Sequence, residues 1–400
     1  VESEDTMNEH MRLMLPGPTP IPPSAQAALS KPMMNHRGPE FGELFRECMA
    51  GIRWLYQTEG DVVLFPASSG TGGLEATLVN VLSPGDQVLA LVAGEFGARF
   101  ADMAEAFGAV VTRMSVEYGE CFDADFVGKA VAAAPYTAIL ITHNETSTAV
   151  MQPLQQIAAA ARLARPEILV LVDAVSSLGV VDLPVDAWDL DVVASGSQKA
   201  FMIPPGMASC SVSARAWKAH ETAKMARYYW DFSKAKAFEG KGQTPWTPAL
   251  PLIYALAESL RIMRAEGLEK IFARHEVMTQ MLRSGCRAMG LETVVKNESI
   301  ASRSVTAVFP PTGIDADKMR ALVQEAFGLV LAGGQGKLAG KIFRVGHLGF
   351  YQPLDMITVL AALEVTLTRM GAQIPLGAGV RAAQEALVNA EAKNGAIVHA

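Results

Sequence analysis

Three short stretches of this 400-residue chain hold residues whose types and spacing could do chemistry. The first is Ala67-Ser68-Ser69-Gly70-Thr71-Gly72-Gly73, which follows the apolar run Val62–Phe65 and precedes helix-forming residues. A loop that opens a helix presents free backbone N–H groups and the positive end of the helix dipole, which suits phosphate. The same residues also fit an ordinary glycine-rich turn, since glycine chiefly reports unusual dihedrals. The second is Leu171-Val172-Asp173-Ala174-Val175-Ser176-Ser177, where a carboxylate ends an apolar strand. A buried carboxylate is costly unless a cation pairs with it. Ligands of open α/β sheets bind at the carboxyl ends of strands, which makes Asp173 a site candidate. A turn or helix-capping aspartate is the other reading. The third is Ala194-Ser195-Gly196-Ser197-Gln198-Lys199, again just past a strand end. A lysine among small residues in an apolar setting has a lowered pKa and can act as a nucleophilic amine. Taken alone, it reads more simply as a solvated surface lysine.

The three stretches agree on one chemistry. A phosphate cradle, a strand-end aspartate and a strand-end lysine are what pyridoxal 5'-phosphate needs. The cradle would hold the phosphate, Asp173 would keep the pyridine nitrogen protonated, and Lys199 would form the Schiff base and later move the proton. Nucleotide motifs do not fit. GxGxxG spacing is missing, and Gly336-Lys337 is followed by Leu338 rather than Ser or Thr.

The elements that must position these residues follow an α/β pattern. Candidate strands are Val62–Phe65, Gln87–Val92, Val110–Met114, Ala138–Thr142, Ile168–Val172 and Val192–Ala194. Helix-forming stretches lie between them at Leu74–Leu82, Phe100–Phe107, Ala124–Ala134 and Pro153–Ala164. Strands alternating with crossover-length helices predict a mainly parallel sheet covered by helices, and nearly all-apolar strands predict burial on both faces. Further on, the pattern predicts long helices over Leu252–Glu266 and Leu268–Met289. A second, smaller α/β unit follows, with strands Ser304–Phe309 and Lys341–Gly346 and helices Asp315–Phe327 and Leu354–Met370. The proline-rich run Pro16–Pro20 reads as an extended arm or turn at the edge of the fold, and the Ala-rich tail after Gly379 as a final helix that frays. The domain division expected is an amino-terminal arm over 1–22, a large cofactor-binding domain over 23–266, a small carboxy-terminal domain over 267–380 and a tail over 381–400.

Composition narrows the function classes. Half of the residues are apolar and 19% are charged, which is material for a large core and excludes a disordered chain. Lys and Arg number 34 against 41 Asp and Glu, a net charge of −7, so no basic footprint for nucleic acid or an anionic membrane exists. Cys48, Cys121, Cys210 and Cys286 stand far apart without a CxxC pair, which argues against zinc, iron–sulfur and disulfide scaffolds. Free thiols point to a reducing compartment, and the expected location is cytoplasmic. No apolar run approaches membrane-spanning length. The acidic first 20 residues do not read as a secretion signal, nor Val398-His399-Ala400 as a peroxisomal address.

The blocks Pro16-Gly17-Pro18-Thr19-Pro20, Ser69-Gly70-Thr71-Gly72, Leu82-Ser83-Pro84-Gly85-Asp86, Thr142-His143-Asn144-Glu145-Thr146-Ser147-Thr148, Val172–Ser177, Ser195–Lys199, Thr247-Pro248 and Gly340–Gly349 occur in this order. With them the chain resembles the class V aminotransferase family of fold-type I pyridoxal phosphate enzymes. Within that family it is similar to the alanine–glyoxylate and serine–glyoxylate aminotransferases, over roughly Leu13 to Ala383. The resemblance implies that Lys199 carries the Schiff base, that Asp173 pairs with the pyridine nitrogen and that Val175 packs on the ring. It places Ser69, Gly70 and Thr71 on the phosphate with Gln198 close by, Phe96 on the ring face, and Ser147 near the ring hydroxyl. Arg344 would clamp the substrate carboxylate through its bidentate fork, with Gly17 and Ser147 on the substrate side. Thr247 would reach the phosphate of the neighbouring subunit's cofactor, so the resemblance implies a homodimer. Phe96 stands where relatives often have Trp or Tyr, Thr71 where some have His, and Thr244 where some have Tyr. Asn35-His36-Arg37 resembles the bacterial and plant serine–glyoxylate subgroup and reads equally as a lining of the site mouth or a solvated loop.

The activity implied is a ping-pong transamination from L-serine or L-alanine to glyoxylate. Other donors, such as pyridoxamine or ureidoglycine, a lyase or cysteine desulfurase, and a non-catalytic structural subunit are the alternatives. No metal is expected: His143-Asn144-Glu145 is similar to the HxE of zinc deaminases, but its PCxxC partner is missing. His347 reads as a packed or capping histidine, with a supporting role near the substrate as the other reading.

Overall fold

The computed structural model describes residues 11–394. The expectations about the acidic amino terminus rest largely on residues before 11, and those about Val398-His399-Ala400 on residues after 394, outside the described residues. The chain opens with strand β1 (Arg12–Met14), helix α1 (Pro23–Ala28) and helix α2 (Pro39–Tyr56). Strands and helices then alternate: β2 (Asp61–Phe65), α3 (Gly70–Val79), β3 (Gln87–Val92), α4 (Glu95–Ala106), β4 (Val110–Ser115), α5 (Ala124–Ala132) and β5 (Ala138–Thr142). After the short strands β6 (Asn144–Glu145) and β7 (Val150–Met151) come α6 (Leu154–Ala164), β8 (Leu169–Asp173), β9 (Val192–Gly196) and β10 (Ala208–Val212). Helices α7 (Ala214–His220), α8 (Phe232–Glu239), α9 (Leu250–Glu266) and α10 (Leu268–Ala288) lead to β11 (Val305–Val308), α11 (Ala316–Phe327), β12 (Leu329–Gly333) and β13 (Phe343–Gly346). Helices α12 (Pro353–Arg369) and α13 (Ala378–Asn394) close the described chain.

The larger sheet has seven strands in the order β2-β10-β9-β8-β5-β3-β4, all parallel except β10. In β8, Val170 and Val172 enter the core against α2, α6 and α9, while Leu169 and Leu171 enter the core against α3 and α4. Apolar side chains on both faces of one strand explain why its sequence is a continuous apolar run. The register sets Asp173 opposite Thr142 on one side and Ala194 on the other, and Ala208 joins Gly196 to Phe65. The loops after β2, β8 and β9 therefore leave the same edge of the sheet, where ligands of open α/β sheets bind.

The structure corrects several expectations. Strand β4 is an edge strand with Val110 57% exposed, not a strand buried on both faces. Helix α3 begins at Gly70, four residues before the predicted start, because Ser69 caps it by accepting from Gly72 N at 3.3 Å. Helix α4 likewise begins at Glu95, which puts Phe96 in its first turn. The proline-rich run begins in bends that follow the edge strand β1, yet it reaches the site through Pro16. β1 pairs in parallel with β12 in a four-stranded sheet of order β1-β12-β13-β11, and Pro16 is buried. The Ala-rich end forms the expected final helix, which runs through Asn394 and packs through Ala383 and Ala390 into the core of the smaller sheet.

Candidate active site

Lys199 lies three residues past β9, partly buried, and its Nζ donates to the carbonyl of Pro16. Burial lowers its pKa from the ordinary lysine value to about 8; nearby Asp173 opposes the shift and Arg344 adds to it. Asp173 closes β8, and its Oδ1 accepts from Val175 N at 2.9 Å. Its Oδ2 makes no hydrogen bond among the described residues. Burial raises its pKa to about 6, against the pull of Val175 N–H and Lys199. A neutralisable amine thus stands beside a carboxyl group that burial leaves short of a cation. Gly17 makes room for that amine: a Cβ there would fall 2.6 Å from Lys199 Cδ, and its φ of +129° is a conformation that favours glycine.

The phosphate-type cradle forms where α3 starts. Gly70, Gly72 and Gly73 do not supply positive φ; they supply close approach. A Cβ on Gly70 would meet Val175 at 3.0 Å, and one on Gly73 would meet Ala208 Cβ at 3.0 Å. Ser69 and Thr71 are exposed at the helix start. Gln198 lies alongside, and its buried Oε1 has no hydrogen-bond partner. Trp230, absent from the sequence reading, packs over Gly72 and edge-on against Phe65 at 5.2 Å. Thr247 is exposed in the loop before α9, which is tied back to the cradle by Ala249 N donating to Pro66 O at 3.0 Å.

Arg344 rises from β13 and is 5% exposed. Its Nε donates to Gly333 O at 2.8 Å and its Nη1 to Thr146 O at 2.7 Å, while Nη2 makes no hydrogen bond among the described residues. Burial lowers its pKa to about 10, and Glu145 opposes that shift. Ser147 is fully buried, and its hydroxyl accepts from Glu95 N at 3.0 Å and donates to Glu145 at 2.5 Å. Phe96 is partly buried, with the Arg99 guanidinium 5.0 Å from its ring centroid. Glu145 was missed in the sequence. So was Asn144, whose Nδ2 donates to Ser176 at 2.9 Å and Ser304 at 2.7 Å while its Oδ1 is buried without a partner. Only their place in the Thr142–Thr148 block and the HxE likeness of His143-Asn144-Glu145 mark them in the sequence, and neither points to this role.

Four residues that the sequence singled out lie apart from this group or are committed elsewhere. Arg37 Nη1 donates to Gln243 Oε1 at 3.0 Å and Thr244 O at 2.8 Å, bracing the loop that carries Thr247. His36, beside it, is partly buried. His347 is fully buried, with Nε2 3.0 Å from the Thr306 hydroxyl and Nδ1 3.2 Å from Arg303 O, and burial lowers its pKa to about 3, so it packs as a neutral ring. His143 is likewise held neutral by burial, its pKa lowered to about 4. Among the described residues no group of three or more His, Cys, Asp or Glu side chains is placed to hold a metal ion.

The pattern that describes class-V aminotransferases matches residues 24–345. The chain belongs to the class-V aminotransferase family. Over 387 residues it is 43% identical to the soluble hydrogenase 42 kDa subunit of Anabaena cylindrica, covering 96% of this chain and 100% of that one. It is 36% identical to the L-aspartate–glyoxylate aminotransferase of Paracoccus denitrificans, covering 95% and 96% of the two chains. It is 35% identical to the serine–glyoxylate aminotransferase of Methylorubrum extorquens, covering 94% and 95%. Among solved structures it matches ureidoglycine–glyoxylate aminotransferase from Bacillus subtilis with a TM-score of 0.87 at 31% identity, covering 94% and 97%. The fold is that of the fold-type I aminotransferases. The residues gathered at the sheet edge fit the pyridoxal phosphate that this family implies. The Gly70 cradle at the start of α3, with Gln198 alongside, lies at one end, and the Asp173 Oδ2, unpartnered among the described residues, and the Lys199 amine at the other.

Proposed function

We propose that the protein is a transaminase that moves the amino group of a small L-amino acid, serine or alanine, to glyoxylate in a ping-pong cycle, with pyridoxal 5'-phosphate carried by Lys199. The observation that carries this reading is the meeting of Lys199, Asp173 and Arg344 at one edge of the larger sheet, close enough for the lysine pKa to respond to both of the others. Bound pyridoxal phosphate supplies a carbonyl that exchanges with amino groups and a ring that takes up negative charge. Lys199, with its pKa near 8, is a free amine for attachment and a base and acid for the α-proton once released. Asp173 would offer Oδ2 to the ring nitrogen and would hold its proton there. Ser69, Gly70, Thr71 and Gln198 would take the phosphate and Phe96 and Val175 would pack on the ring, while Ser147, whose hydroxyl donates to Glu145 and accepts from Glu95 N, would stand beside the ring substituent. Arg344, already aimed by two carbonyl oxygens, presents Nη2 to a substrate carboxylate, with Gly17 leaving space beside the lysine. Preset donors reduce the ordering cost of binding.

Glyoxylate is the acceptor in each of the three aminotransferase names above, whereas the donors differ, so the acceptor is the better supported half. A small donor agrees with one arginine clamp and with Arg37 being held by the loop at Gln243 and Thr244. Thr247, exposed and without a hydrogen bond among the described residues, suits a role in the neighbouring subunit of a homodimer. A desulfurase needs an accessible, reactive thiol; Cys48, Cys210 and Cys286 are fully buried with pKa values raised to about 12, and the partly buried Cys121 packs against the cluster around Val295 and Ile342, where burial raises its pKa too. A non-catalytic subunit is the reading favoured by the name of the Anabaena relative, yet it needs no nucleophilic lysine. No helix among the described residues is long and apolar enough to cross a membrane, and we place the enzyme in the cytoplasm.

The test is the visible spectrum of the protein with bound cofactor, followed while L-serine and then L-alanine are added without an oxo acid. Loss of the lysine-bound cofactor band with growth of a pyridoxamine phosphate band supports the half-reaction and ranks the donors. A band that ignores both amino acids moves the reading to a lyase or another donor. No band after added pyridoxal phosphate overturns the enzyme reading.

A further inference from the structure

We propose that Glu145 is a positioning residue for this site: its carboxylate locks the first turn of α4, which carries Phe96, to Ser147 and to the strand whose next carbonyl aims Arg344. The inference rests on the transaminase reading above.

Helix α4 begins after Gly94 without a cap from its own chain segment. The missing acceptor comes from β6. Glu145 Oε2 accepts from Phe96 N at 3.1 Å and from Gly97 N at 2.9 Å. Glu145 Oε1 accepts from Ser147 N at 3.1 Å and from the Ser147 hydroxyl at 2.5 Å. Ser147 Oγ in turn accepts from Glu95 N at 3.0 Å. The result is a closed ring of hydrogen bonds with a carboxylate at the positive end of a helix, which is the favoured place for that charge. Glu145 is fully buried. Gly94 permits the approach, since a Cβ there would fall 2.6 Å from Glu145 Cδ.

This carboxylate does more than cap a helix. The residue after it, Thr146, gives its carbonyl to Arg344 Nη1 at 2.7 Å. The residue before it, Asn144, is fixed to Ser176 at 2.9 Å, three positions past Asp173. Glu145 therefore sits where the ring-packing side chain and the carboxylate clamp are referred to the same few atoms. Its charge is felt at both ends: it adds to the rise that burial gives the Asp173 pKa and opposes the fall that burial gives that of Arg344. Arg344 serves the substrate carboxylate and Phe96 serves the ring; Glu145 couples the two.

The experiment compares wild type, Glu145→Gln and Glu145→Asp with pyridoxal phosphate bound. The readouts are hydrogen exchange at residues 95–97, the dissociation constant of the cofactor, its visible circular dichroism, and kcat and KM for the amino donor. Glu145→Gln turns an NH2 group towards N–H donors. We expect faster exchange at Phe96 and Gly97, altered circular dichroism, and about 10-fold increases in both the cofactor dissociation constant and KM. Glu145→Asp, shorter but charged, recovers part of each, and it carries the same readouts should the Gln variant fail to fold. Faster exchange with unchanged dissociation constant, dichroism and KM overturns the proposal and leaves a helix cap. Unchanged exchange overturns it as well. A wild type that binds the cofactor but turns nothing over overturns the transaminase reading instead, while exchange and cofactor affinity still decide on Glu145.

Discussion

The lysine end of the site hangs from one sheet, whereas the arginine end is assembled from distant parts of the chain. Asp173 and Lys199 follow adjacent strands β8 and β9, and the Gly70 cradle follows β2, joined to β9 through β10. Their placement is set by one continuous ladder of hydrogen bonds. Arg344 stands on β13 of the other sheet and is held by Gly333 of β12 and by Thr146 after β6. Gly17 and Pro16 come from the first described segment. The cofactor end is thus preset by the large sheet. The substrate end depends on how the two sheets meet.

The largest break in that comparison is Lys199→Ala. It removes the amine, so borohydride should trap no adduct and kcat should fall about a thousandfold or more, as for loss of an acid–base group. A reducible adduct that survives would move the lysine assignment elsewhere. Next comes the fraction of neutral amine. Attachment of pyridoxal phosphate to the cofactor-free protein should rise with pH through a midpoint near 8, because only the unprotonated amine attacks and burial lowers the Lys199 pKa to about 8. A midpoint near the unperturbed lysine value of about 10.4 would mean a solvated side chain. Arg344→Lys tests the other end: KM for the amino donor should rise about 10- to 100-fold with kcat nearly kept, since Lys cannot be held by Gly333 O and Thr146 O while presenting a further N–H to the carboxylate. An unchanged KM removes Arg344 as the clamp. The smallest effect is Thr247→Ala, about a 5-fold loss of cofactor affinity for one neutral hydrogen bond. Hybrid dimers of Thr247→Ala with Lys199→Ala sharpen it. The surviving lysine then faces the partner's intact Thr247 and should keep full affinity, whereas a Thr247 acting within its own chain would leave that site weakened.

The same contrast explains what the sequence made legible. Asp173, Lys199 and the Gly70 cradle each follow an apolar strand within a few residues, so their chemistry and their position are local. Arg344 and Gly17 were legible only through resemblance. Nothing local to Gly17 announces that Lys199 will lie 2.6 Å from its missing Cβ. Glu145 escaped because its partners, the amides of Phe96 and Gly97, belong to a helix some 50 positions earlier. Strand β10 escaped because Ala208-Ser209-Cys210-Ser211-Val212 is small and polar for a central strand, and its burial is decided by its neighbours β2 and β9. The start of α3 was placed late because its glycines read as loop, while Ser69 capping and close packing make them the first helical turn.

The pairing of β1 with β12 has a consequence for the order in which the enzyme can be made. Arg12–Met14 leave the ribosome first, yet their partners Leu329–Leu331 emerge only after most of the chain has been synthesised. Thr19 ties the segment over Lys199 to Gln198 O and Lys199 O, but its β1 end is fixed only once β12 is made, so a nascent chain stopped before β12 can complete the larger sheet while one end of that segment is still unpaired. A fusion or tag placed ahead of Arg12 sits on the strand that closes the site, so activity should be more sensitive to what is attached at that end than the stability of the larger sheet is.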